Sequence, residues 1–272
     1  MSIDTAIPKS DTFYKMELNC KTIRESILRV ALESGHGHIP TCFSIVEILY
    51  SIYDVMKHNP RNPSWNERDI AILSKGHGSL ALYVTLAQQG YFAIDKVSSY
   101  GAFGTIFGCH IDRTKVPGAE VSTGSLGHGI SVGVGIARAM KLKRENRNVY
   151  VILGDGESNE GSVWEAIMVA NDLKLDNLTI VYDYNQSQKR SLPVSIPKEK
   201  FKAFECDVLE VNGHDVEELR SALNTANSNL KVIVANTVKG HGCKTLVDGV
   251  YAWHRRSPNK EEFKKLMVEL NA

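Results

Sequence analysis

Apolar residues recur along this chain with two different periods. In residues 17–33, Ile23, Ile27, Leu28 and Leu32 share one helical face, and 44–56, "SIVEILYSIYDVM", continues in the same manner. The run "NPRNPSW" at 59–65 is a loop by its prolines and asparagines. "DIAILS" then predicts a short strand ending at "KGHGS", and "SLALYVTLAQQG" a helix closed by Gly90. Residues 101–124 are glycine-rich and irregular. From Gly127 to about Arg144 helical spacing returns, with small residues over much of its surface, which predicts close packing on a neighbour.

The second half alternates. "NVYVIL", "SVWEAIMVANDLKL" and "LTIVYD" read as strand, helix and strand, with strands apolar enough to be buried on both faces. "CDVLEV", "VEELRSALNTAN" and "LKVIVANTV" repeat the pattern. Alternation of this kind predicts a three-layer α/β/α fold around a mostly parallel sheet. No repeat, low-complexity tract or linker interrupts residues 1–272, so one domain is expected, with an irregular extension from about residue 239.

Composition narrows the function classes. The chain has 272 residues, is 43% hydrophobic and carries a net charge of +1 with acids and bases interspersed. A substantial core is possible, and no basic surface for nucleic acid is indicated. Apolar runs such as "LTIVY" are far short of a membrane span, and "MSIDTAIPKSD" lacks the apolar core of a signal peptide. Cysteines 20, 42, 109, 206 and 243 are odd in number, scattered and without a CxxC pair. Neither a disulfide framework nor a structural zinc site is implied, and a cytoplasmic location is expected.

Candidate chemistry collects where strands end, the edge at which open parallel sheets bind ligands. "SKGHGS" (74–79), "GDGESNEG" (154–161) and "YDYNQSQ" (182–188) all fall there. Asp155 and Asn185 are thirty positions apart, about one βαβ unit, so their oxygens can reach the same rim. A carboxylate, an amide oxygen and a backbone carbonyl are hard ligands suited to Mg2+, which keeps part of its shell for phosphate oxygens. The helix beginning near Gly161 adds free N–H groups and a positive dipole end.

"GDGESNEGSVWEAIMVANDLKLDNLTIVYDYN" resembles the thiamine diphosphate signature, GDG followed by a terminal asparagine. "SGH" at 34–36, "KGHGS" at 75–79, "GCH" at 108–110, "STGSLGHG" at 122–129 and "WHRRSPN" at 253–259 occur in the order of the N-terminal, cofactor-binding half of transketolases. The resemblance runs from about residue 15 to 265. It implies the thiamine diphosphate-binding fold, with thiamine diphosphate and Mg2+ (or Ca2+ or Mn2+ in its place) as cofactors. Asp155, Asn185 and the Ser187 carbonyl would hold the metal, and His77, Gly154, Gly156 and Glu157 would lie at the diphosphate. Gly124 and Leu126 would line the thiamine through backbone groups. His36, His110 and His254 match histidines facing reacting carbons and substrate hydroxyls, and Glu160 matches a glutamate linking paired active sites. Within the acidic turn, Glu157 is expected to contribute its backbone N–H rather than its charge.

Other attractive residues have plain readings. His58, His214 and His241 are expected to be surface or structural, "GHGH" at 35–38 a turn, and "VGVGIA" at 132–137 part of a helix rather than a dinucleotide fingerprint. Arg255 and Arg256 could attract a sugar phosphate. Ile111 stands where the family has proline, His128 where glutamine is common, and "YDYNQSQ" replaces the usual "DNN" ending, which leaves acceptor specificity open. The family's pyrimidine-binding domain would follow residue 272. The resemblance therefore implies a split transketolase, active only with a C-terminal subunit carrying that domain, in an α2β2 assembly acting on sugars or sugar phosphates. An α-type chain of a 2-oxoacid dehydrogenase and a non-catalytic cofactor-binding module are the alternatives.

Overall fold

The computed structural model describes residues 11–272; the N-terminal stretch considered as a signal peptide lies almost wholly outside them. Five strands form one sheet: β1 (Ile70–Leu73), β2 (Val149–Gly154), β3 (Leu178–Tyr184), β4 (Asp207–Asn212) and β5 (Lys231–Asn236). Their order is β1-β2-β3-β5-β4, and every pairing is parallel. Among the described residues ten α-helices accompany them: α1 (Asp11–Ser34), α2 (Ile39–Ser44), α3 (Val46–Val55), α4 (Ser79–Gln88), α5 (His128–Leu142), α6 (Gly161–Asp172), α7 (Pro197–Ala203), α8 (Val216–Asn224), α9 (Lys244–Asp248) and α10 (Lys260–Asn271).

The three-layer expectation is met, and the period-two alternation of the strands explains why. Ala71, Leu73, Tyr150, Ile152, Val181, Ile233 and Ala235 join one core with side chains of α1, α3, α4 and α8. Their alternating neighbours Ile72, Val151, Leu153, Ile180 and Val234 join the other, with α5, α6 and Phe201 of α7. Each central strand thus loses both faces to helices, which is why it reads as an unbroken apolar run. β4 lies at the edge and is only half-buried.

Three local departures from the sequence pattern have simple causes. The helix expected over 44–56 is found as α3, and Ser44 instead ends α2, a separate short helix started by Pro40 in its first turn. α7 escapes detection because it is short and polar, burying only Pro197 and Phe201. The tail beyond 239, expected to be irregular, contains α9 and α10; α10 carries a capping box between Asn259 and Glu262 and lays Leu266 against the core.

The small residues of α5 are packing devices. A β-carbon on Gly129 would meet Ser74 Cα at 2.7 Å, and one on Gly133 would meet Val151 Cγ2 at 2.8 Å. This draws the helix onto the ends of β1 and β2. Gly135 faces open space. Gly129→Ala should therefore lower the urea midpoint, by overpacking of about 1–3 kcal/mol that outweighs the helix propensity gained. Gly135→Ala should raise stability by up to about 1 kcal/mol in the same measurement.

Candidate active site

The carboxyl ends of β1, β2, β3 and β5 meet at one buried carboxylate. Asp183, in β3, is fully buried and accepts from Lys75 Nζ, Ser44 Oγ (2.9 Å), Asn185 Nδ2 (2.8 Å) and Thr237 Oγ1. Lys75 follows β1 and Thr237 follows β5, while Ser44 closes α2. The Lys75–Asp183 ion pair is almost completely removed from solvent. Neither residue stands out in the sequence. The available signal was one acid near the end of the largely apolar β3 and one base two residues past the end of the apolar β1.

Asp155 and Asn185 come together as their spacing predicts. Asp155, 4% exposed, accepts from Gly156 N (2.6 Å), Ser187 N (2.6 Å) and Ser187 Oγ (2.6 Å). Asn185 Oδ1 accepts from the same Ser187 N–H at 3.0 Å. Carboxylate and amide oxygens therefore converge on one point, and all the donors that Asp155 engages there are neutral. Ser187 offers Asp155 its N–H and hydroxyl in this arrangement. Among the described residues, no cluster of three or more His, Cys, Asp or Glu is poised for a metal. The Asp155–Asn185 oxygens are instead the mixed hard-donor set of a magnesium-type site, so these residues fit such an ion.

The acidic turn divides its tasks differently from expectation. Glu157 is buried, and its carboxylate accepts from Ser74 Oγ, Gly127 N (2.9 Å) and Gly154 N (3.1 Å). Burial raises its pKa against these hydrogen bonds. Its side chain, not only its backbone, matters: it ties the ends of β1 and β2 to the entry of α5. Glu160 is exposed at the start of α6, its stem close against Gly127. Gly76 approaches the 123–124 backbone so closely that a β-carbon would lie 2.6 Å from Thr123 C. That contact brings the "KGHG" turn onto the loop bearing Gly124 and half-buried Leu126.

The histidines assemble with a shift of two residues. His38, His77 and His254 form an edge-on cluster, with centroids 5.5 Å (His38–His77), 5.6 Å (His38–His254) and 6.4 Å (His77–His254) apart. His36, the expected member, is exposed and packs against Gly101. His38, expected only to be part of a turn, joins this cluster where the chain pairs with Arg256 in an isolated bridge. His110 is exposed, its ring over Gly124, and near enough to disfavour charge on His38. Burial and then Lys75 hold His77 down to about 2; burial and then His254 hold His38 down to about 4. His254 is lowered by partial burial, then by Lys239 and Lys75. Lys239 Nζ lies 3.3 Å from His254 Nδ1, and burial followed by Lys75 brings its amine down to about 8. Three neutral imidazoles thus stand beside two lysines, an arrangement suited to moving protons near a bound anion. Beside Ser187 and Lys239 opens a cavity of about 630 Å³, also lined by Lys189, Val250, Tyr251 and Arg190, whose guanidinium lies 4.4 Å over the Tyr251 ring. Arg256 instead stacks on Trp253 at 3.8 Å and pairs with Glu262.

Residues 17–269 match the family model for the transketolase, thiamine diphosphate binding domain. The chain belongs to the transketolase family. It is 34% identical over 265 residues to an apulose-4-phosphate transketolase subunit from Phocaeicola vulgatus, covering 94% of both chains. It is 36% identical over 264 residues to the 6-deoxy-6-sulfo-D-fructose transketolase subunit SqwG of a Clostridium species, covering 94% of this chain and 96% of that one. Human transketolase is 31% identical over 273 residues, which are 97% of this chain but 43% of the human one. Among solved structures, Campylobacter jejuni transketolase superposes with a TM-score of 0.87 at 28% identity, over 94% of this chain and 42% of the other. In this transketolase-family chain, no helix of the described residues is long and apolar enough to cross a membrane.

Two outcomes test this geometry. Lys75→Met strands the buried Asp183 carboxylate and should cost about 3–5 kcal/mol in urea unfolding. His77 and His38 are held neutral in the folded state, below the usual histidine value of about 6.5, so the unfolded chain binds more protons in acid. Their contribution is complete above about pH 6.5 and is lost as pH falls toward the folded values. The thermal midpoint should drop between pH 7.5 and 5, and a His38→Gln/His77→Gln double variant should narrow that drop.

Proposed function

We propose that this chain is the diphosphate-binding subunit of a split transketolase. It would transfer a two-carbon ketol unit from a ketose or ketose phosphate to an aldose, using thiamine diphosphate and Mg2+. The observation that carries this reading is the likeness, over 94% and 96% of their length, to two relatives named as transketolase subunits. A separate C-terminal subunit would supply the pyrimidine-binding domain. The exposed apolar side chains Val132 on α5 and Met168 and Val169 on α6 support association with further subunits, in an α2β2 assembly.

Asp155, Asn185 and a Ser187 backbone oxygen would hold the metal, with Lys75, His77, Gly156 and Lys239 facing the diphosphate. The bound cofactor supplies carbanion stabilisation; the chain orients it and handles protons. In the net reaction the donor's C2–C3 bond breaks as its C3 hydroxyl loses a proton. A new C–C bond forms to the acceptor's carbonyl carbon, whose oxygen gains a proton. His38 and His254, both held neutral, together with His110 are the groups assigned to those transfers, with His38 put forward beside His36.

Mixing this chain with its partner, thiamine diphosphate and Mg2+ should create ketol transfer that neither chain shows alone. Asp155→Ala should weaken magnesium-dependent cofactor binding by about 100-fold, or about 3 kcal/mol. Full turnover by this chain alone, or unchanged cofactor binding in that variant, would overturn the reading; CO2 release from a 2-oxoacid would redirect it to a dehydrogenase. A second test is the pH dependence of cofactor affinity. Lys239 is cationic below about 8, so calorimetric affinity should fall by up to about tenfold between pH 7 and 9.

A further inference from the structure

A buried polar relay approaches the site from behind, through residues that the proposed chemistry does not use. Arg24, on α1, donates to both oxygens of Glu47, on α3, and to the Phe43 carbonyl. Glu47 Oε2 lies 3.0 Å from His214 Nδ1, and His214 Nε2 accepts the Val238 N–H at 2.8 Å. Because Nε2 accepts, Nδ1 carries the proton and donates to Glu47, which fixes the tautomer. His241 stacks flat on the same ring, centroids 3.6 Å apart at 10°. Burial pushes the Glu47 carboxyl up, but Arg24 and His214 outweigh it and hold it down to about 2.

Val238 lies in a short strap, residues 237–240, that carries two site side chains. Thr237 reaches Asp183, and Lys239 reaches His254. The strap's far end is held by the Gly240 N–H on the Pro40 carbonyl at 3.0 Å. The turn bearing His214 is pressed onto its near end: Gly213 N donates to Asn236 O at 2.8 Å, and a β-carbon on Gly213 would lie 2.3 Å from Thr237 Cγ2. A buried ion pair with a histidine attached is a poor device for stability alone, since well-packed apolar residues serve as well or better. Its directional bonds do supply a fixed position.

We propose that His214 is a positioning residue, which through Val238 fixes the strap and so holds Lys239 in its slot beside Lys75 and His254. With the strap released, Lys239 gains water and its titration moves up toward that of an ordinary lysine. The consequence for catalysis rests on the functional reading above; the link from His214 to Lys239 does not.

The test uses the full chain, free of cofactor. Trace acetylation across pH 6–11, read by mass spectrometry on the Lys239 peptide, gives the amine's titration midpoint. His214→Phe keeps a ring against His241 but removes both hydrogen bonds. Its Lys239 midpoint should rise by about one unit or more. His214→Gln restores an acceptor for Val238 and a donor for Glu47, and should return the midpoint to the wild-type value. Hydrogen exchange should show the Val238 amide protected in wild type and in His214→Gln, and fast in His214→Phe. An unmoved midpoint in His214→Phe, or a Gln variant that behaves like Phe, overturns the proposal. Should His214→Phe not fold, a wild-type Val238 amide exchanging like an exposed loop amide overturns it equally. The dissociation constant of magnesium thiamine diphosphate in the assembled complex is measured separately. A weakening of about tenfold in His214→Phe extends the effect to the site, whereas no binding by wild type sinks the functional reading and leaves the strap result standing.

Discussion

The ion pair between Lys75 and Asp183 is the constraint on which the rest of the site is arranged. A carboxylate buried in the central strand of a parallel sheet needs a cation and a full set of donors. Here each donor is supplied by a different element: the ends of β1 and β5, the last residue of α2 and the start of the loop after β3. Satisfying one charge therefore fixes four segments relative to one another. Asn185 is held by its amide nitrogen, which leaves its oxygen turned toward Asp155 and Ser187. Burial first, and then Lys75 pinned by Asp183, keep His77 and Lys239 from carrying charge readily.

Much of this was legible in the sequence. The strands were readable because each central one is apolar on both faces, and Asp155 with Asn185 because one βαβ unit sets the distance between them. What escaped depended on tertiary partners. Glu157 looks like any acid in a polar turn until Ser74, Gly127 and Gly154 are seen to converge on it. His36 and His38 stand on either side of one glycine, and nothing in that stretch says which reaches His77 and His254. It is His38, which lies where the chain bridges to Arg256, more than two hundred residues away. α10 was missed because it is mostly polar and buries a single leucine fully. Its local signal was present all the same in the Asn259–Glu262 box.

The two faces of the sheet contribute unequally. On the α5–α6 side, small residues bring helices close to the strands and shape the floor of the site through Gly129 and Gly133. On the opposite side, α1 and α3 carry the Arg24–Glu47 pair, whose reach extends through His214 to the strap after β5. The rim is thus set from below by packing and from behind by directed polar bonds.

At the centre of this rim the charges are closely matched, while Lys189 and Arg190 add positive charge in the cavity beside it. Lys75 is matched by Asp183, Lys239 stands in the field of Asp155, and the clustered histidines are neutral. Under the proposed reading, a divalent cation and a diphosphate would offset each other's charge here, and each would strengthen the other's binding by the same factor. On that reading the pocket would favour a cation and an anion arriving together over either one arriving by itself.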